Sequence, residues 1–270
     1  MSDFDRNAAA KWGRPLTRAE TSVIDAGLRA YMLRVYNYMV IGLAITGLAA
    51  LGIYMMSITG DAASAAKVVR NGAEIPARIA GNMYLTPLGY VMFVSPVKWA
   101  VILAPLAMVF VLSFGIERMR PATAHLMFWI FAALIGLSLG SIFMVYTHTS
   151  ITRVFFITAA SFGALSVWGY TTQRDLSGMG SFLIMGFWGI FIGFIVNIWL
   201  KSNALGFILS IVGVIIFLGL TAYYTQQLKT MATSPEYREH YAILGALVLY
   251  ISFINLFLML LRLFGGGDRR

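Results

Sequence analysis

The chemistry open to this chain is bounded first by where its acids stand. All eleven carboxylates (Asp3, Asp5, Glu20, Asp25, Asp61, Glu74, Glu117, Asp175, Glu236, Glu239 and Asp268) fall in tails or in the connections between long apolar runs. Membrane proteins that move protons or calcium usually carry acids at membrane depth, because an ion stripped of water needs a compensating charge or a hard oxygen ligand. Here the runs carry no such acid. His125, His148 and His240 lie near run ends or in connections. The absence of cysteine excludes disulfides, thiolate metal sites and thiol catalysis together. No catalytic residue, metal ligand or cofactor is assigned from these patterns, and the chain is read as not an enzyme.

Gly136-Leu137-Ser138-Leu139-Gly140 matches the G-x-S-x-G pattern. That pattern serves a nucleophile only on a strained strand-to-helix elbow, with a base in reach. Inside an apolar helix, Gly136 and Gly140 read more simply as a small-xxx-small surface for close helix approach, and Gly189 with Gly193 repeats the device. The most polar stripe is in the last run, where Ser252, Asn255, Met259 and Arg262 share one helical face. That helix is the candidate for the bundle centre. Asn255 and Ser252 are expected to bond neighbouring helices, and Arg262 to snorkel to the interface, a structural reading favoured over a pore.

The elements that position these residues are membrane spans. The chain is 59% hydrophobic and 11% charged over 270 residues, with a mean hydropathy of +0.79, whereas soluble domains are about 25% charged. A span needs about 20 apolar residues. Seven runs supply that length: 35–58, 99–116, 124–146, 154–170, 180–200, 204–224 and 241–264. They are continuously apolar rather than alternating, which argues for helices over a barrel. The fold class expected is an all-α integral membrane protein, a seven-helix bundle with the last helix central. Residues 1–34 read as a polar tail and an amphipathic helix, 35–264 as the membrane domain with an outer loop at 59–98, and 265–270 as a tail. Thr17 and Glu20 have capping-box spacing. Ile24, Leu28, Met32 and Val35 follow at helical spacing, either as a helix on the membrane face or as an extension of the first span. In the long connection Asn71-Gly72, Pro76, Gly81-Asn82, Pro87 and Pro96 mark turns. It is expected to form an outer cap or partner contact, or to remain a poorly ordered loop.

The formal net charge is +9. Its basic residues are scattered among connections with no basic-aromatic patch, so nucleic acid is not an expected partner. Lys67, Arg70, Arg78 and Lys98 sit in the long first loop, which informs orientation weakly. The remaining Lys and Arg favour a cytoplasmic N-terminus.

In its last two spans the chain resembles the Bax inhibitor-1-like family, also called the transmembrane Bax inhibitor motif family. The carrying segments are Thr221-Ala222-Tyr223-Tyr224-Thr225-Gln226 and Leu249 through Phe257, ending in Leu261-Arg262. Leu28-Arg29-Ala30-Tyr31-Met32, Gly169-Tyr170-Thr171-Thr172 and Arg174-Asp175-Leu176 agree with it. The resemblance runs from about Arg29 to Phe264. It implies a seven-helix fold surrounding the last helix and, for bacterial members, a pH-sensitive calcium leak gated by two aspartates that share a proton. Tyr224 and Ser252 stand at those two positions. Neither titrates near neutrality. A hydroxyl pair there can hydrogen-bond and latch the bundle but offers calcium no charge.

The function expected is therefore a multi-pass bacterial inner-membrane protein, a non-conducting structural or regulatory partner of a larger membrane complex. Respiratory or photosynthetic assemblies and a membrane-bound quality-control protease are the candidate partners besides the lipid bilayer. The alternative is a calcium or cation leak with altered or no pH gating. A lipid or small-molecule carrier has no motif in its favour.

Overall fold

The computed structural model describes residues 18–70, 73–80, 82–116, 119–231 and 238–266. The tail at 1–17, with Thr17, therefore lies outside the described residues, as do the side chains of Glu20 and Ile24. Seven helices are long and apolar enough to cross a membrane. Helix α1 (Arg18–Ser57) runs 40 residues without a break. The segment read as an amphipathic helix is thus the start of the first span's own helix, and the boundary at residue 34 falls inside it.

Past α1 the long connection expected at 59–98 is folded. Its strands are β1 (Ile58–Thr59), β2 (Lys67–Arg70), β3 (Ala73–Pro76), β4 (Arg78–Ala80) and β5 (Met83–Leu85). β1, β5 and β4 form one antiparallel sheet, and β2 pairs with β3 in register Val68↔Ile75. Ala66 N–H donates to Leu85 O at 2.7 Å and Ala77 N–H to Ala66 O at 2.8 Å, tying hairpin to sheet. The short helix α2 (Pro87–Phe93), capped by Thr86 Oγ1 accepting from Gly89 N–H, turns the chain back. This lobe is the β structure that the expectation of an all-helical chain omitted. The membrane bundle itself is helical as expected.

The remaining helices are α3 (Val97–Gly115), α4 (Pro121–Leu139), the single turn α5 (Ile142–Val145), α6 (His148–Thr171), α7 (Ser177–Leu200), α8 (Asn203–Met231) and α9 (Arg238–Phe264). The apolar run of α9 is 72% buried, against 11% for α3 and 17% for α7. Helix α9 packs against α1, α4, α6 and α8, while α3 leans on α4 and α7 on α8 at the periphery. The last helix is the axis of the bundle. Its inward residues include Ala242, Ala246, Leu249, Tyr250, Phe253, Leu256 and Leu260. In lipid no hydrophobic force separates one apolar helix from another, so contact depends on close fit and internal hydrogen bonds. Close fit shows at Gly136, where a Cβ would stand 2.5 Å from Thr46 O of α1, and at Gly140, where it would overlap Ile53.

Candidate functional site: hydroxyls around the last helix

Two hydroxyl clusters fasten the helices of the bundle, the first of them at the axis. In the first, Thr46 Oγ1 of α1 lies 2.9 Å from Gly42 O, 2.9 Å from Ala132 O of α4, and in hydrogen-bond contact with Tyr250 OH of α9. A threonine hydroxyl has one proton and two lone pairs. It therefore donates to a carbonyl and accepts from Tyr250, joining α1, α4 and α9 at one atom. Tyr250 is 1% exposed, with its ring set edge-on against Phe128 and Phe131 at centroid distances of 5.8 and 5.6 Å.

In the second cluster Thr225 Oγ1 of α8 donates to Thr221 O at 2.8 Å, which uses its proton. Ser166 Oγ of α6, 2.9 Å away, must then donate to Thr225, and Tyr36 OH of α1 to Ser166. The chain of donors runs one way, from α1 through α6 to α8. Tyr31 OH adds a bond to Tyr241 O of α9 at 3.1 Å.

The end of α8 also organises the turn between α6 and α7. Gln226 Oε1 accepts from Leu176 N–H at 2.9 Å and its Nε2 donates to Arg174 O at 2.8 Å. Lys229 Nζ donates to Tyr170 O at 3.2 Å and lies 5.4 Å from that ring's centroid. A cation at the last turn of α6 suits the negative end of that helix. Asp175 Oδ1 accepts from Ser177 N–H at 2.9 Å. Bonds from the Ser177 hydroxyl and amide hold the Asp175 carboxyl below its ordinary range.

The residues singled out from sequence meet this geometry unevenly. Ser252 Oγ donates to Val248 O at 2.9 Å and Asn255 Nδ2 to Ile251 O at 2.8 Å, each on its own helix. The expected bonds from these two residues to neighbouring helices are replaced by back-bonds, because the carbonyl one turn earlier is the nearest free lone pair. Tyr224 is half-buried, its ring 5.4 Å from that of Tyr223. No hydrogen bond joins Tyr224 to Ser252 among the described residues, so the expected hydroxyl latch at these positions gives way to Thr46–Tyr250 and Tyr36–Ser166–Thr225. Arg262 is exposed and its guanidinium lies 5.2 Å from the Phe194 ring centroid, a cation over an aromatic face at the end of its span. Gly193 packs on Leu209, but a Cβ at Gly189 would meet nothing within 4 Å. The glycine of α7 that pairs with Gly193 in facing α8 is Gly186, set against Ile216. Gly189 points away from the packed face and is not a packing glycine.

Ser138 Oγ donates to Val101 O of α3 at 2.7 Å. This serine of the G-x-S-x-G match joins two helices. His125 donates from Nδ1–H to Pro121 O at 2.9 Å and packs against Tyr38. Among the described residues no three of His, Cys, Asp and Glu gather where they would hold a metal.

A groove opens beside these clusters. Helices α1 and α6 both pack on α9 but hardly on each other. The space between them is about 1020 Å³, lined by apolar side chains from Met32 to Leu51 and from Phe155 to Tyr170, with Phe253 as floor and Arg29 at one end.

These features define a multi-pass helical membrane protein whose helices are fastened by hydroxyls around a buried final span. The family described as Inhibitor of apoptosis-promoting Bax1 matches residues 28–269, and the chain belongs to this Bax inhibitor-like family. It is similar to an uncharacterized protein of Caulobacter vibrioides, 43% identical over 271 residues that cover 99% of both chains. It is also similar to the Inner membrane protein YbhL of Escherichia coli (strain K12), 43% identical over 89% of this chain and 93% of that one. An uncharacterized protein of Rickettsia prowazekii is 38% identical over 93% of this chain and 95% of its own.

Proposed function

We propose that this protein is a closed, non-conducting bundle of the bacterial inner membrane that serves a larger membrane complex as a structural or regulatory subunit. The observation that carries the reading is the commitment of the interior hydroxyls to one another and to carbonyls. Thr46 and Tyr250 bridge α1, α4 and α9, Tyr36, Ser166 and Thr225 bridge α1, α6 and α8, and among the described residues no carboxylate is bonded to any of them. Calcium takes about 6–8 oxygen ligands, commonly including carboxylates. A desolvated ion here would meet only neutral oxygens already in use.

The printed name of the Escherichia coli relative supports the inner membrane, and the basic connections support a cytoplasmic N-terminus. The folded lobe at 58–93 is the surface offered to a partner on the outer side, a respiratory or photosynthetic assembly or a membrane protease. The same neutral interior supports a non-enzymatic role.

Calcium influx into proteoliposomes across the neutral pH range tests this, comparing the parent with a Tyr224→Asp, Ser252→Asp double variant. A silent parent and a pH-dependent variant are expected. Flux through the parent would overturn the closed reading in favour of a calcium or cation leak. Isolation from native membrane in mild detergent should bring a second protein with it, and a monomer with no companion counts against the partner role.

A further inference from the structure

We infer that the groove between α1 and α6 is a binding site for one anionic phospholipid, its phosphate at Arg29 and an acyl chain along the groove. Arg29 is 22 positions before Leu51 on one helix, about 33 Å at ~1.5 Å per residue, so the groove runs the depth of a hydrocarbon core about 30 Å thick and its half nearer Arg29 takes the chain of a lipid in that leaflet. The groove's volume of about 1020 Å³ is at the top of the range in which pockets enclose a ligand, about 300–1,000 Å³. Its polarity is divided as a phospholipid's is. Arg29 is exposed and forms no ion pair among the described residues, while Tyr36, Ser166 and Tyr170 mark the same end and the rest is apolar. Lys229 stands behind Tyr170, held to its carbonyl at 3.2 Å. Arg29 thus places a cation at one end of an otherwise neutral trough, which is the complement of a phosphate with a fatty tail.

Two further observations separate this from ordinary lipid contact. A Cβ at Gly47 or at Gly163, which line the groove from α1 and α6, would meet nothing within 4 Å. Side chains have been left out where a chain would lie. The groove also continues inward: a cavity of about 240 Å³ shares Leu43, Gly47, Phe155 and Phe253 with it and reaches Thr46.

Native mass spectrometry of the full chain in mild detergent, with phosphatidylglycerol or phosphatidylcholine of matched acyl chains, reads this directly. One phosphatidylglycerol should be retained in preference to phosphatidylcholine. Arg29→Gln, a change at an exposed residue, should reduce that preference about fivefold, the share of one cation near a membrane surface. Gly47→Leu and Gly163→Leu, which have room at Cβ, should lower retention of both lipids. A parent with no preference, Arg29→Gln indistinguishable from it, glycine variants that retain lipid normally, or a dimer that holds no lipid would each overturn the assignment. Thermal melting of the same variants without added lipid shows that they are folded.

Discussion

Replacing Thr46 by Val tests the hydroxyl junction at the axis most directly. Valine has the shape of threonine, so no cavity opens and the change reports hydrogen bonding alone. The substitution strands the hydroxyl of Tyr250, which is 1% exposed, and removes the donor at Ala132 O, 2.9 Å away. An unsatisfied buried polar group costs about 1–3 kcal/mol. Tyr250→Phe is expected to cost less, about 1 kcal/mol for a bond lost, because Thr46 keeps Gly42 O at 2.9 Å as its acceptor. In the double variant nothing is stranded across the α1–α9 contact. Its cost should fall short of the sum by about 0.6 kcal/mol and by no more than about 1.7, the mean and the maximum found for cross-helix bonds in a membrane protein. Equilibrium unfolding in mixed micelles, followed through the six tryptophans, supplies all the corners of the cycle. Costs that add within about 0.3 kcal/mol, or a Tyr250→Phe change dearer than Thr46→Val, would refute the reasoning that one hydroxyl proton is shared in this order.

Glycines on neighbouring faces should respond oppositely. Gly136→Ala drives a Cβ to within 2.5 Å of Thr46 O and should destabilise by about 1–3 kcal/mol through overpacking, whereas Gly189→Ala meets nothing and should be neutral or stabilising by up to ~1 kcal/mol through helix propensity; thermal melting ranks them. Gln226→Leu removes both bonds that fix the α6–α7 turn, so exchange of the Leu176 amide should accelerate while the core amides of α9 stay protected. Asp175 has its carboxyl held below the ordinary range by Ser177, so the stabilisation from its bond to Ser177 N–H is present above the ordinary carboxylate pKa and is lost as pH falls below the lowered one. Melting of Asp175→Asn should lack that part of the acid limb, and an acid limb identical to the parent's would reject the role of this bond.

Much of the bundle was legible because hydrocarbon imposes a simple rule on composition. The runs read from sequence are helical, the one at 124–146 as α4 followed by the single turn α5, and some are lengthened by a turn or so where polar ends reach the interface, as at 148–153 and 225–230. The polar stripe in the last run pointed to the axis, although the residues that bury it are largely Ala, Leu and aromatic ones on the adjoining faces. What escaped was pairing. Thr46 and Tyr250 are 204 positions apart, and nothing local distinguishes them from the hydroxyls that merely bond their own helix. Gly186 and Gly189 look alike in α7; Ile216 of α8 decides which one faces a neighbour. In the lobe after α1 the Asn71-Gly72 signal lies outside the described residues, and the strands β2 and β3, of four residues each, are too short for an alternation signal to stand out. The flanking β-branched Val68, Val69 and Ile75 were the available cue.

The buried position of α9 bears on how the molecule comes into being. Translation delivers segments from the N-terminus onward, so the helix that the others surround emerges after all of them. Until it arrives, Thr46 lacks the tyrosine that donates to it, and Tyr31 has no Tyr241 carbonyl to reach. The contacts of α1 with α4 and of α6 with α8 need no α9, so the earlier spans can pair before it arrives. Insertion of α9 is then the step that completes the axis.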